Sequence, residues 1–393
     1  MQNKKKMIMI LGLMAFLANG DNYAAAPLLI NIAEDLNITV SVAAMSVTAY
    51  MLSFGVFTLI FGPLSDRYGK VKIINITAIG TAIFSILGAF AFNLPSLIFF
   101  RAMNGAFGAG IFPVTLALVG QSFDQENRQK AIAKVMGLMF LGGATATIIG
   151  GTLAYFGSWR LVYLFYGIAE LVVAMVIFKM LERDQAVVKK LNFFKVYQEP
   201  LTNFRFMRLV TVIFFVGFSV FGSFTYSGEL IQEATGYNLL IVGLILSLFG
   251  VGTVFGGRIA PMLRKKLNRW FLVFAGMIGS ISLFALSRSI NVWILSLALL
   301  GFGIAFIFLQ STLITTVQEK LPKMRGTAMS LASFNMFVGG AVGTTINAKV
   351  MESYGVTTIY QNAIFILFFA SVVAAIFVTG FEMRKKQGCY DEV

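Results

Sequence analysis

The chain has 393 residues, 58% of them hydrophobic and 12% charged, with a mean hydropathy of +0.82 and a formal net charge of +14. That composition lies far outside the soluble range and points to an all-α integral membrane protein rather than a water-soluble enzyme. The positive charge does not signal nucleic acid, because Lys and Arg fall in short clusters between apolar runs instead of gathering on one solvated face.

Runs long enough to span a bilayer recur twelve times, at about 7–32, 40–62, 71–92, 95–120, 129–153, 160–181, 207–231, 239–261, 269–287, 291–316, 327–350 and 357–382. The first could also be a secretory signal: basic Lys4 to Lys6, apolar Met7 to Ala18, then small Ala24, Ala25 and Ala26. A retained first helix keeps the charge alternation intact and is the reading adopted. Of the 31 lysines and arginines, all but Arg101, Arg160, Arg288 and Lys349 would then lie on one side, and the positive-inside rule makes that side, with both termini, cytoplasmic. The longest polar interval separates six spans from six, so that 1–181 and 207–393 are the expected halves and 182–206 a cytoplasmic linker. Within it Val187, Leu191 and Phe194 recur at helical spacing against Lys189, Lys190 and Lys195, as in a helix lying on an anionic surface.

The two halves echo each other. Laying Arg128 to Ile149 on Arg325 to Ile346 pairs Arg128 with Arg325, Ala131 with Ala328, Met139-Phe140 with Met336-Phe337, and Gly142-Gly143-Ala144 with Gly339-Gly340-Ala341. Internal repeats of this size are expected of transporters whose halves rock about a central site.

Charges inside apolar runs are the chemical signal. Asp21 falls about 14 residues, roughly 21 Å of helix, beyond the start of the first span, near mid-membrane. Arg101, inside the fourth span, is its natural partner, because an ionised acid in hydrocarbon is normally paired, protonated or turned to a water-filled cavity. Glu170, in the middle of the sixth span, is a further candidate, whereas Glu229 and Glu233 read as solvated residues near a span end. A carboxylate beside a permanent cation can gain or lose a proton as its surroundings change, so Asp21, Arg101 and Glu170 are the proton-coupling candidates. An alternative for Asp21 is a carboxylate merely bonded to helix neighbours. Polar residues at mid-span, Asn22, Tyr23, Asn104, Tyr226, Gln310 and Asn335, are candidates for a substrate cavity, although each could instead bond a backbone carbonyl between helices.

Several simpler functions find no support. The chain has no histidine and one cysteine, Cys389, so no internal disulfide or ordinary metal cluster is expected. Gly69-Lys70 is followed by Val71 rather than Ser or Thr, which is not a phosphate loop. Glycine patterns such as Gly105-x-x-Gly108-x-Gly110 read as helix packing surfaces, not nucleotide loops. No cofactor, metal or nucleic acid is expected; the partners are a small-molecule substrate, protons and the lipid bilayer, and the chain reads as a monomer.

Between the second and third spans stands Gly62-Pro63-Leu64-Ser65-Asp66-Arg67-Tyr68-Gly69-Lys70. With Arg101-x-x-Asn104-Gly105, Arg128-x-x-Ala131, Trp159-Arg160, Asp21-Asn22-Tyr23-Ala24-Ala25-Ala26-Pro27 and Ile32-Ala33-Glu34-Asp35-Leu36, it makes the chain resemble the major facilitator superfamily over essentially its whole length, and within it the twelve-span bacterial drug and metabolite exporters. The resemblance implies the major facilitator fold, two six-helix halves working by alternating access in a bacterial inner membrane. It also implies a conformational switch built from Gly62, Asp66, Arg67, Gly69, Lys70, Arg128 and Arg325, with Asp66 against the start of the eleventh helix near Arg325. Two departures stand out: exporters often carry Gly-Pro in the fifth span where this chain has Ala146-Thr147, and the second-half counterpart of the charged loop, Gly256 to Lys266, lacks the acid. The expected function is proton-coupled efflux of small apolar or amphipathic compounds. A nutrient importer on the same fold and a non-transporting membrane sensor are the alternatives.

Overall fold

The computed structural model describes residues 2–123, 125–182, 184, 193–321 and 324–386; the side chains at 2–3, 125–129, 193–195, 325 and 379–386 lie outside the described set. The chain is almost entirely helical. In order it forms α1 (Gln2–Leu36), the short α2 (Val40–Ala43), α3 (Met45–Tyr68), α4 (Lys70–Ala89), α5 (Leu94–Ser122), α6 (Gln125–Phe156) and α7 (Trp159–Met180). After the linker come α8 (Phe193–Thr202), α9 (Phe204–Phe224), α10 (Ser227–Thr235), α11 (Leu239–Leu267), α12 (Phe271–Arg288), α13 (Val292–Lys320), α14 (Arg325–Tyr354) and α15 (Val356–Lys386).

Among the described residues eleven helical stretches are long and apolar enough to cross a membrane, one of them the 50-residue Leu239–Arg288. At 1.5 Å per residue that stretch would run about 75 Å, more than twice a hydrocarbon core of about 30 Å. A 3-10 turn at Asn268–Trp270, where Asn268 takes a positive φ of 48°, divides it into α11 and α12. Twelve long helices result among the described residues, as the sequence led one to expect. The apolar run at 207–231 is interrupted: Tyr226 N–H turns to Ser223 O (3.1 Å), and Tyr360 of α15 also donates to Ser223 O (3.1 Å), so α9 ends and α10 begins.

Side chains at the loops fix where helices begin. Asn93 accepts from Ser96 N (2.9 Å) while Ser96 Oγ accepts from Asn93 N (3.2 Å), a reciprocal capping box for α5. Asn203, Asn238 and Asn291 cap α9, α11 and α13 by a single bond each, their side-chain oxygens accepting from a backbone donor that the helix itself leaves unpaired.

Packing repeats between the halves. α1 lies on α6 as α9 lies on α14; α3 on α5 as α11 on α13; α4 on α7 as α12 on α15. Across the seam α6 meets α11 and α3 meets α14, which is the same pair of contacts related by a two-fold exchange. The repeated Gly-Gly-Ala explains the closest approaches: a Cβ at Gly142 would come within 2.1 Å of Phe16 O, and one at Gly339 within 2.1 Å of Phe214 O. Only a residue without a side chain admits a neighbouring backbone that closely. Large apolar residues on the rim, such as Phe99, Phe178, Ile281, Phe365 and Phe369, are exposed, as lipid-facing side chains are.

Candidate functional site

Asp21, Arg101 and Asn104 meet in the middle of the first half, all fully buried. Arg101 Nη1 donates to Asp21 Oδ1 (3.3 Å) and to Asn104 Oδ1 (3.1 Å), and Asn104 Nδ2 donates to Asp21 Oδ2 (3.0 Å). Arg101 and Asn104, three residues apart, share one face of α5, so a single stripe presents a cation and an amide to the acid on α1. Asn104 is anchored in turn by Thr81 O (3.0 Å) on α4. The guanidinium lies between two phenol rings, 4.4 Å from the centroid of Tyr50 and 5.1 Å from that of Tyr163. Those π faces stand in for the hydrogen-bond partners that its Nε and Nη2 lack.

Glu170 of α7 completes the cluster. It is fully buried, neither carboxyl oxygen has a hydrogen-bond partner, and it interacts electrostatically with both Asp21 and Arg101. Two carboxyls and one guanidinium therefore share one desolvated site, a set that is electrically neutral when it holds a single proton.

Beside this cluster a cavity of about 100 Å³ opens between the halves. It runs from mid-bundle toward the end that carries Arg67 and Lys70, reaching Thr58 on α3, Pro113 on α5, Ile314 on α13 and Met329 on α14. Asn22, Tyr23 and Gln310 line it, as does Asn19. Phe54 stacks on Phe337 (4.0 Å between centroids), Phe337 on Phe221 (5.5 Å), and Phe221 meets Phe306 edge to face (5.5 Å), forming a continuous aromatic wall. Tyr50 belongs to both sites: it lines the cavity and covers Arg101.

The other cavity candidates are placed elsewhere. Asn104 belongs to the charge cluster. Tyr226 is fully buried and donates to Thr344 O (2.8 Å), and Asn335 Nδ2 donates to Leu331 O (2.9 Å) within its own helix; neither lines the cavity. Both obey the competing rule that a polar group in an apolar bundle takes the nearest backbone carbonyl.

At the basic end the charged loop has a defined geometry. Gly69 sits at φ 90°, a conformation that a residue with a side chain rarely adopts, and it joins α3 directly to α4. Gly62 faces α14, where an added Cβ would lie 3.1 Å from Ser330 Oγ. Asp66 is about half exposed and its Oδ1 lies 3.1 Å from Lys70 Nζ, one turn along, so in this conformation its ion pair is local to the loop. The carboxylate at a helix N-terminus is instead Asp184, at the start of the linker: Oδ2 accepts from Lys70 N (2.8 Å) and Oδ1 from Val71 N (2.9 Å). Unpaired amides and the helix dipole both favour an anion there. Tyr197 of α8 crosses the seam, donating to Leu59 O (2.6 Å) with Ser330 of α14 also in reach. Cation–π contacts at 5.0 and 5.5 Å set Arg67 and Lys72 over Tyr68. The side chains of Arg128 and Arg325, and Lys189, Lys190 and Cys389, lie outside the described residues.

The opposite end is closed. α10 lies across α1, where a Cβ on Gly228 would come within 2.9 Å of Ala26 O; a Cβ on Gly151 would come within 2.6 Å of Leu239 O; and Ser41 donates to Glu352 across the seam. Trp159 Nε1 (3.2 Å) and Arg160 both bind Asp35, and Arg160 Nη2 donates to Ala91 O (3.0 Å), tying α7 to the ends of α1 and α4. Two motifs far apart in sequence, Trp159-Arg160 and the stretch ending Asp35-Leu36, are thus a single clamp.

Comparison with known proteins agrees with this architecture. A 23% identical relative from Bacillus subtilis (strain 168), the uncharacterized MFS-type transporter YceJ, matches over 90% of this chain and 92% of its own. The bicyclomycin resistance protein homolog of Haemophilus influenzae is 23% identical over 96% of this chain and 97% of its own, and the multidrug efflux pump LfrA of Mycolicibacterium smegmatis is 34% identical over 39% of this chain and 31% of its own. Among solved structures, a bacterial homolog of the human lysosomal transporter Spinster, in an inward-facing and unoccupied conformation, superposes with a TM-score of 0.74 at 15% identity, covering 100% of this chain and 98% of that one. The sequence model of the Major Facilitator Superfamily matches residues 11–344, and with the two-fold bundle and its central cavity this shows that the chain belongs to that superfamily of multi-pass membrane transporters.

Proposed function

We propose that this transporter exports small apolar or amphipathic compounds in exchange for protons, working as a monomer in a bacterial inner membrane with its basic end and both termini in the cytoplasm. The observation that carries the reading is the buried Asp21–Arg101 pair standing one aromatic ring away from a cavity between the halves. A fold that needed no proton would gain little from holding these charges in hydrocarbon, where each is costly unless it works. Relatives named for drug resistance and multidrug efflux support export as the direction.

In this reading residues 1–181 and 207–393 rock about the cavity, joined by 182–206. When Asp21 takes a proton, Arg101 loses its counter-ion, and the guanidinium shifts with the rings of Tyr50 and Tyr163 that enclose it. Tyr50 carries that shift to the cavity wall, while Asn22 and Tyr23, next to Asp21 on α1, move with the helix. Glu170 is the reserve acid of the same cluster. The charged loop, with Asp66, Arg67 and Lys70, is the inner switch: the α3–α14 packing beside it is remade as the opposite end opens, a change between two packed arrangements rather than a continuous deformation.

The test is transport in proteoliposomes with and without an imposed pH gradient. Wild-type protein should drive a substrate uphill only with the gradient, and Asp21→Asn should keep downhill exchange but ignore the gradient. Gradient-independent accumulation by wild type, or gradient-driven accumulation by the variant, would overturn the assignment.

A further inference from the structure

Near its basic end α3 carries a carbonyl that its own helix cannot satisfy. In an α-helix the oxygen of Leu59 would accept from the N–H of residue 63, and residue 63 is proline, which has no N–H and whose ring crowds that carbonyl. The donor comes instead from the linker, 138 residues along the chain, where Tyr197 OH of α8 donates to Leu59 O at 2.6 Å.

That bond joins the two halves. α8 packs on α9 and α14, both of the second half, so its tyrosine reaches across the seam to a helix of the first. A phenol hydroxyl that donates one hydrogen bond keeps lone pairs for accepting another, and Ser330 of α14, itself buried, is in reach to supply it. Ser330 also faces α3 directly, since a Cβ at Gly62 would come within 3.1 Å of its Oγ. Neighbouring residues of the charged-loop motif therefore make room for one structure: Gly62 lets α14 approach, Pro63 frees Leu59 O, and Tyr197 fills that acceptor from the other side. Parting α3 from α14 breaks the Tyr197–Leu59 bond. Removing the hydroxyl penalises only the packed arrangement, where the carbonyl is left without its donor, because water reaches the carbonyl once the helices separate.

We propose that Tyr197 is a latch on the linker that holds α3 to α14 at the basic end, and that Pro63 serves it by denying Leu59 O a donor from its own helix. The linker is then a working part of the transport cycle and not a passive tether. The inference requires two halves that rock; it is independent of the proton, of the substrate and of the direction of transport.

The test is the distance between the two helices. With Cys389→Ser as background, Tyr68→Cys at the end of α3 and Gly326→Cys at the start of α14 carry spin labels, the first at an exposed position and the second where an added side chain meets nothing within 4 Å. Double electron–electron resonance on the purified, detergent-solubilised full chain should show one dominant short distance in this parent and a minor longer one. Tyr197→Phe should raise the ratio of separated to packed protein about tenfold, the scale of one hydrogen bond. Ser330→Ala, which removes the hydroxyl on α14, should move the ratio the same way, so a folding defect in the first variant would not hide the result. Pro63→Ala gives Leu59 O a helical donor, and Tyr197→Phe added to it should change the ratio by less than about threefold. Parent-like distances in Tyr197→Phe and Ser330→Ala, or a shift on Tyr197→Phe that is equally large with and without Pro63→Ala, would overturn the proposal. Because no gradient or substrate is involved, loss of proton-driven transport with these distances behaving as stated would sink the coupling reading and leave the latch standing.

Discussion

Replacing Arg101 by Met tests whether the charge cluster is held together as a pair. The side chain is about 2% exposed, its Nη1 lies 3.3 Å from Asp21 Oδ1, and Asp21 is equally buried, so Arg101→Met leaves that acid in hydrocarbon with Asn104 and Ser85 as its polar neighbours and a second carboxyl, Glu170, in the same site. Breaking a buried ion pair from one side costs about 3–5 kcal/mol, most of it the penalty of the charge left behind. Removing both charges together, in Asp21→Asn/Arg101→Met, eliminates that penalty and leaves chiefly the lost ring contacts to Tyr50 and Tyr163, worth about 0.5–2 kcal/mol each. The double variant should therefore be more stable than Arg101→Met alone, with a coupling energy of about 2–3 kcal/mol between the sites. Unfolding in mixed micelles of mild and denaturing detergent, across wild type, both single variants and the double, measures it. Additive losses, or a cost of Arg101→Met below about 1 kcal/mol, would mean that the pair is not the unit described.

Other expectations follow from single contacts. Asp184→Ala removes the acceptor for two backbone amides at the start of α4 and should lower stability by about 1–2 kcal/mol, while Asp66→Asn, half exposed and paired only to Lys70, should cost less than about 1 kcal/mol and act on turnover instead. Gly142→Val or Gly339→Val should abolish folded protein in detergent chromatography, because the new side chain meets a carbonyl of the neighbouring helix; Gly120→Ala, in helix α5 with nothing within 4 Å, should be neutral or stabilise by up to about 1 kcal/mol. With Cys389 replaced, a cysteine at Phe92 or Ile290, both strongly exposed in loops at the closed end, should react in intact cells with a membrane-impermeant thiol reagent, and one at Trp270 at the basic end should not. The reverse pattern would invert the proposed orientation.

What could be read from the sequence follows the cost of polarity in hydrocarbon. Asp21 and Arg101 declare each other because few partners exist for a charge in an apolar run, and the matched Gly-Gly-Ala triplets declare the α6–α14 symmetry because close backbone approach leaves a compositional mark. Asp184 gave no such sign: it is one acid in a charged linker, and only the folded chain brings it onto amides 113 and 114 residues away. Tyr226 and Asn335 misled for a related reason, since a polar group at mid-span is equally explained by a carbonyl on an adjacent turn or helix. Tyr50 and the Phe54–Phe337–Phe221 wall were invisible among forty phenylalanines and twelve tyrosines, because aromatic residues pack cores, face lipid and line cavities with the same composition.

The central claim is that Asp21 exchanges a proton as the transporter works, and the most direct measurement is proton release from purified protein in weakly buffered detergent when substrate is added. Wild-type protein should release protons on binding, and Asp21→Asn should bind the same substrate and release none. Equal release from both would move the coupling acid elsewhere, Glu170 first; no release from wild type at saturating substrate would contradict the account.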